Sequence, residues 1–354
     1  MMHQIKCLFV GMAVLSASAF AVRADINVVT SIKPVHSLVA GVMKGVAEPR
    51  LIIEGAGSPH TFAIKPSQAA MLEKANLVFW IGPQLETFLE RPLKTLASRA
   101  KSVALIETKG LIKWDLREDS AFERHGHHDD DAHHHASEAK HGHEKHGHRH
   151  GHAHGHGHDK HGHEKHGHAT TAEAGHHHGH HGFDSHIWLD PVNAKMFVGT
   201  IRKALSEVDP ANGPVYERNA ALIVALLDAL VVEVAAELGP AQQKGFIVFH
   251  DAYQYFEKRF GLRASGSITV SPEVMPGAKR ISELRSKVRK LGVACVFSEP
   301  QFEPKLVATV IEGTPAQSGV LDPLGAALKN DPNLYFTLIR NMASSFKACF
   351  GKAG

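Results

Sequence analysis

A long histidine-rich tract, residues 119–182, interrupts this sequence and limits what the rest of it can fold into. The tract holds 24 of the 29 histidines of the chain and contains no Val, Ile, Leu or Met. A segment without these side chains cannot bury enough apolar surface to offset the entropy cost of ordering its backbone. We therefore expect the fold to be built from the sequence on either side, with the tract as an insertion.

Short β-branched runs alternate with amphipathic stretches on both sides of the tract, a rhythm typical of parallel βα units. Before the tract, strands are predicted at 26–30, 50–53, 77–81 and 103–106, and helices at 35–46, 67–74 and 84–97. After the tract, strands are predicted at 246–249, 267–270, 293–298 and 318–321, and helices at 252–260, 279–291, 305–312 and 333–349. The pattern predicts an α/β protein with two similar lobes.

A dense run of Ala, Leu and Val at 211–238 separates the two halves. It follows Asp209-Pro210 and stops at Gly239-Pro240, which are start and stop signals of a helix. A single helix here would measure roughly 42 Å at about 1.5 Å per residue, although two shorter packed helices would fit the same run. We expect a domain order of 1–24 signal peptide, 25–210 first lobe including the tract 119–182, 211–238 linking helix and 239–354 second lobe.

The N-terminus has the pattern of a secretory signal peptide, with a basic start, an apolar run at 7–20 and a small-residue cleavage site near Ala24. A buried N-terminal helix is the alternative, but the run has no polar face. Cys7 lacks the small-residue context of a lipoprotein site, and no later apolar stretch reaches the roughly 18–20 residues of a membrane span. We expect a free periplasmic protein.

Net charge gives no reason to expect nucleic acid as a partner. The predicted leader carries Lys6 and Arg23 and no acid, so its removal lowers the formal charge from +3 to +1. The remaining basic residues are scattered among acids and form no stripe.

Export would leave Cys295 and Cys349 as the only cysteines in an oxidising compartment, where paired thiols persist. We expect a disulfide that pins the last helix to a strand, and two separately buried thiols are the alternative.

The tract itself is expected to bind metal weakly at many positions. The nonamer KHGHEKHGH occurs at 140–148 and again at 160–168, and imidazole is a good ligand for Zn²⁺, Cu²⁺ and Ni²⁺. A solvated linker or a purification tag is the alternative interpretation.

Three histidines outside the tract form the sharper signal. His60, His186 and His250 each lie where a predicted strand ends or a helix begins, and ligands of open α/β sheets bind at the carboxyl ends of strands. Any one of them alone is more often a structural histidine, as we expect of His36 on a helical face. Together they indicate a metal site.

The sequence resembles the ZnuA-like periplasmic zinc-binding proteins of ABC importers, a branch of the cluster A-I solute-binding proteins. The resemblance covers essentially the whole mature chain. The segments that carry it are GSPHTFAIKPS at 57–67, ANLVFWIGP at 75–83, the His-rich loop followed by HIWLDP at 186–191, VFHDAYQYFE at 248–257, SEPQF at 298–302 and LDPLG at 321–325.

The resemblance implies two (β/α)4 lobes joined by one rigid helix, with the metal site in the inter-lobe cleft. It implies Zn²⁺ ligation by His60 and His186 from the first lobe and by His250 from the second. Manganese-binding relatives tend to place a carboxylate at the position of His250, whereas a third imidazole suits tetrahedral Zn²⁺. Some members have a glutamate just before the first histidine, where this chain has Pro59, so the fourth ligand is left open. Asp322, which matches an aspartate in the second lobe of the wider family, is the first choice, and water is the second.

The expected function is therefore capture of one Zn²⁺ and its delivery to an inner-membrane ABC permease with its cytoplasmic ATPase, by a monomer that is not an enzyme and does not insert stably into the membrane. A catalytic zinc that activates water is the alternative from another class; the chain has no His-Glu-x-x-His motif, and Glu299 is the available base. A zinc buffer, with the tract as its functional part, is the third interpretation.

Overall fold

The protein is represented by a computed structural model that describes residues 26–117, 182–269, 272, 276–303 and 305–352. The predicted signal peptide and most of the His-rich tract lie outside these residues. Within the described residues, no helix combines the length and the apolar character needed to cross a membrane.

The first lobe is a four-stranded parallel sheet with the strand order β2-β1-β3-β4. The central strands β1 and β3 are buried along their whole length, as expected for a parallel sheet covered by helices on both faces. The strands are β1 (Val28–Thr30), β2 (Arg50–Leu51), β3 (Leu77–Trp80) and β4 (Lys101–Ala104), and the helices are α1 (Lys33–Val42), α2 (Pro66–Glu73), α3 (Thr87–Thr95) and α4 (Pro191–Val208).

The second lobe repeats this design with the strand order β6-β5-β7-β8, again entirely parallel. Its strands are β5 (Phe246–His250), β6 (Ala264–Thr269), β7 (Cys295–Ser298) and β8 (Gln317–Val320), and its helices are α6 (Gln254–Phe260), α7 (Ala278–Leu291), α8 (Lys305–Ile311) and α9 (Leu334–Lys352). The predicted α/β class with two parallel-sheet lobes is confirmed.

One helix, α5 (Gly213–Leu238), joins the lobes. Its 26 residues give a length of roughly 39 Å at about 1.5 Å per residue. The buried side chains recur at helical spacing, so one stripe of the helix packs on the core of the protein. The interpretation as one long helix is confirmed, and the alternative of two short helices is wrong.

Several local assignments differ from the sequence analysis, most clearly at α4 and β4. No helix was predicted over α4, although Asp190-Pro191 is a start signal: the Asp190 carboxylate accepts a hydrogen bond from the Val192 amide at 2.8 Å, and Pro191 occupies the first turn. The fourth strand was predicted at 103–106, but β4 begins earlier, and the chain leaves the sheet at Leu105 in a short 3₁₀ turn.

Cys295 on β7 and Cys349 on α9 are joined by a disulfide, which confirms the expected pairing. The bond fixes the last helix to the sheet of the second lobe.

Candidate metal centre

Three elements bring the three predicted histidines together. His60 lies in the loop between β2 and α2, His186 immediately precedes a 3₁₀ turn that leads into α4, and His250 is the last residue of β5. Two imidazoles therefore come from the first lobe and one from the second. All three have a ring nitrogen within 4.8 Å of the others, and they are the candidate metal-ligating cluster found among the described residues.

The spacing of the Nε2 atoms matches one coordination shell. His60 Nε2 lies 3.3 Å from His186 Nε2, and His250 Nε2 lies 3.4 Å from the same atom. Ligands of a tetrahedral Zn²⁺ with Zn–N distances of about 2.0–2.1 Å are separated by about 3.3–3.4 Å. Two of the three pairs of imidazole nitrogens are therefore already one tetrahedral edge apart.

Carboxylates on the far side fix the orientation of two of the rings. Asp184 Oδ1 lies 2.7 Å from His186 Nδ1, and Glu299 Oε1 lies 2.7 Å from His250 Nδ1. An ionised carboxylate only accepts hydrogen bonds, so each Nδ1 carries the proton and each neutral ring directs its Nε2 lone pair at the cluster. A cation between these nitrogens would accept both lone pairs.

A proton could serve as that cation, but burial disfavours protonation of two of the three rings. Burial lowers the pKa of His60 to about 2, and the two neighbouring imidazoles contribute in the same direction. Burial also lowers the pKa of His186, helped by repulsion from His250. His250 behaves differently: burial is the largest effect and opposes its protonation, but the Glu299 carboxylate, together with Asp251 and Asp184, raises its pKa.

Apolar rings surround the cluster and limit its access to water. His186 and His250 are 7% and 4% exposed. The Trp188 ring lies 5.3 Å from His186 and the Phe302 ring lies 5.9 Å from His250, measured between centroids. The site is a small cleft with its donor atoms at the base.

The structure does not bring Asp322 into this cluster. Its carboxylate accepts hydrogen bonds from the backbone amides of Leu324, Gly325 and Ala326 at 3.1, 2.9 and 2.6 Å. The carboxylate therefore holds a loop whose Leu324 side chain lines the cleft. Asp322 as the fourth ligand stays a prediction.

His36 has the structural role expected for it. It is buried on α1, where its Nε2 lies 3.1 Å from the Pro49 carbonyl oxygen. The sequence analysis missed Asp184 as a partner of His186, although it precedes the histidine by only two residues. Glu299 lies 49 residues from His250, and it entered that analysis only as a candidate base. No sequence signal gives this pairing, because the sheet creates it.

Two parallel-sheet lobes joined by one long helix, with imidazoles from both lobes meeting in the cleft, define a class of two-lobed metal-binding proteins. Solved structures share this fold. A structure entitled "Crystal structure of ZnuA" superposes with a TM-score of 0.66 at 22% identity, covering 91% of this chain and 99% of the other. FpvC of P. aeruginosa, in complex with Ni²⁺, superposes with a TM-score of 0.67 at 16% identity, covering 93% and 98%.

Sequence comparison gives the family. Residues 28–349 match ZnuA, described as the periplasmic component A of a zinc-uptake complex. The high-affinity zinc uptake system protein ZnuA of Brucella suis is 54% identical over 326 residues, which cover 92% of each chain. The protein of the same name from Yersinia pestis is 34% identical over 99% of each chain. This chain therefore belongs to the ZnuA family.

Proposed function

We propose that this protein captures Zn²⁺ in the periplasm and delivers it to the permease of an ABC zinc importer. The observation that carries the proposal is the set of convergent imidazoles, with two Nε2 separations equal to the edge of a tetrahedral zinc shell. Family membership supports the direction of transport, since the Brucella and Yersinia relatives are named as zinc uptake proteins. An inner-membrane permease and its cytoplasmic ATPase would be the partners.

We assign His60, His186 and His250 as the protein ligands and water as the fourth. Three neutral imidazoles and no thiolate or carboxylate favour a borderline metal such as Zn²⁺ over Mn²⁺. Water is preferred to Asp322 because the Asp322 carboxylate already accepts three backbone amide bonds. Zinc X-ray absorption spectra of the Asp322→Asn variant should then show an unchanged shell, whereas loss of one oxygen neighbour would make Asp322 the ligand.

A zinc hydrolase is the competing class, because three histidines and one open position also describe a catalytic zinc. Glu299, the available base, accepts the His250 Nδ1–H bond and is 2% exposed. Its Oε1 is thereby engaged on the Nδ1 side of the ring, away from the Nε2 atoms of the cluster, which disfavours a role in activating metal-bound water. We propose a non-enzymatic protein.

Binding tests the ligand assignment. In competition with a chelator, the full-length mature protein should bind one Zn²⁺ tightly. Single substitution of His60, His186 or His250 by Ala should weaken zinc binding at that site. The loss should exceed the roughly 10- to 100-fold expected when a residue that only hydrogen-bonds a ligand is replaced. His36→Gln is the matched control, because His36 is buried in the same lobe but lies outside the cluster. If all three Ala variants bound zinc as tightly as the wild-type protein, the cleft would not be the tight zinc site.

Growth tests the transport assignment. A strain that lacks the gene should fail on limiting zinc, and the wild-type gene but not the His250→Ala variant should rescue it. A store or a hydrolase would not be required for uptake, so unchanged accumulation of zinc-65 in the deletion strain would contradict the proposal.

A further inference from the structure

The segment that leads into the His-rich tract crosses from the first lobe to the second. At residues 114–117 it lies against α6 of the second lobe. The Trp114 amide donates to the Tyr255 hydroxyl at 3.2 Å, and Gln254 Nε2 donates to the Asp115 carbonyl at 3.1 Å. The Lys258 ammonium lies 3.5 Å from the centre of the Trp114 ring.

Arg117 makes the strongest of these contacts. Its Nε donates to both oxygens of Asp251 at 3.0 and 2.9 Å, and its Nη2 donates to Asp251 Oδ1 at 2.5 Å. The same guanidinium donates to both oxygens of Glu257, at 3.0 Å from Nη1 and 2.8 Å from Nη2. The side chains are 19%, 13% and 3% exposed for Arg117, Asp251 and Glu257. A planar fork with two carboxylates is geometrically specific, in contrast to a mobile surface ion pair.

Both carboxylates come after the strand that ends in His250. Asp251 follows His250 directly in the chain. Glu257 lies on α6 and its Oε2 also accepts from the Ala264 amide at 2.9 Å, where β6 begins beside β5. Arg117 therefore fastens a first-lobe segment to the residue that follows His250 and to α6.

We propose that Arg117 is a positioning residue of the metal centre: through Asp251 and Glu257 it holds His250 of the second lobe against His60 and His186 of the first, and so sets how slowly the site releases its ion. The inference rests on the proposed function, because it concerns the lifetime of the zinc complex. The hydrogen bonds of Arg117 described above go to Asp251 and Glu257. It acts on the geometry between the lobes, where a small displacement of one ligand breaks the tetrahedral edge.

The first measurement is the zinc dissociation rate of the full chain by stopped flow with a chelating dye. Arg117→Ala should raise that rate by about 10- to 100-fold, in the usual range of coupling between two sites, while the association rate and the stoichiometry of one tight zinc stay unchanged. Arg285→Ala is the matched control, because Arg285 pairs with Glu312 entirely within the second lobe. A role in folding alone would lower the fraction of active sites and leave the rate of the remaining sites unchanged, which would overturn the proposal.

Asp251→Asn tests the route of the effect. If Arg117 acts through Asp251, the dissociation rate of the double variant should rise by less than the product of the two single effects. If the effect of the double variant equalled the product of the two single effects, Arg117 would not act through Asp251.

A second measurement needs no zinc. In the metal-free protein, hydrogen exchange at 112–117 and 251–262 should be faster in Arg117→Ala than in wild type and unchanged in Arg285→Ala. Unchanged exchange in these segments would contradict the proposed role of Arg117 in holding the two lobes together, even if zinc binds as proposed. Failure of the wild-type protein to bind zinc tightly would contradict the proposed function instead. The exchange experiment would still show whether Arg117 holds the two lobes together.

Discussion

At the scale of single residues, the site depends on which nitrogen of each ring faces the cleft. Asp184 and Glu299 accept from the Nδ1 atoms of His186 and His250, so the metal-facing nitrogen is fixed as Nε2 before any ion arrives. Little ordering entropy then opposes binding, which favours high affinity. A carboxylate behind the ring also increases the basicity of the imidazole.

The Glu299 contact gives a graded prediction. Glu299→Ala removes the acceptor and should weaken zinc binding by about 10- to 100-fold, whereas Glu299→Gln keeps an acceptor oxygen without the charge and should lie between. Competition titration with a chelator measures both. Glu303→Ala, an exposed acid on the same loop, is the control and should bind like wild type. Equal affinities for all four proteins would show that orientation of His250 does not depend on Glu299.

At the scale of elements, the second lobe is completed by α9. Phe346 of this helix lies 4.9 Å from Phe246 on β5 and 4.9 Å from Phe297 on β7, between ring centroids. The close approach requires glycine at position 319 on β8, where a Cβ would lie 2.5 Å from the Phe297 ring. The disulfide between Cys295 and Cys349 fastens the same helix covalently.

Removal of this disulfide should destabilise the second lobe and leave the metal site intact. The bond joins positions 54 residues apart, and a loop of that length corresponds to about 4 kcal/mol in the chain-entropy model. Reduction of metal-free protein by a phosphine should therefore lower the melting temperature by roughly 10 °C. The Cys295→Ala/Cys349→Ala double variant should melt at the same lower temperature and still bind one zinc tightly. Loss of zinc binding in that variant would mean that α9 also positions the cleft.

At the scale of the whole molecule, the larger hydrophobic core runs without interruption through both lobes. It includes β1 and β3 of the first sheet, the buried stripe of α5, and β5 and α9 of the second lobe. Such sharing favours small adjustments between the lobes over wide opening. The domain boundaries at 210 and 239 stay a prediction.

The segments that flank the tract, 114–116 and 182–184, are hydrogen-bonded to each other. The Leu116 amide donates to the Gly182 carbonyl at 3.0 Å, and the Asp184 amide donates to the Trp114 carbonyl at 2.8 Å. The tract thus leaves and re-enters the fold at adjacent positions, and the three histidines of the cluster lie outside it in the sequence.

Replacing residues 119–181 by a short Gly/Ser linker should preserve the tight zinc site and lower the total number of zinc ions bound. Gly182 is retained because its carbonyl closes the bridge. The tract must order its own backbone around each ion, at about 1–2 kcal/mol per fixed residue, so its sites should be weaker. Competitive titration measures both classes, and growth in graded chelator should show a defect only at severe scarcity. Loss of tight binding here, with no effect of His60→Ala, would make the tract the primary site.

The sequence by itself determined the elements and the candidate ligands. Parallel βα units follow from hydrophobic periodicity and helix stop signals, which act over a few residues, and α5 is bounded by such signals at both ends. His60, His186 and His250 were identifiable because strand ends are where a parallel sheet exposes polar side chains, and because the segments around them resemble a known family.

Only the tertiary structure decided which side chains meet. The pairing of Glu299 with His250 and the clamp of Arg117 on Asp251 and Glu257 join residues whose proximity is set by strand order and lobe packing. Local propensity carries no information about contacts across such separations, since each depends on how two sheets and one long helix pack together. The ligand types could therefore be predicted from the sequence, whereas the geometry that orients them could not.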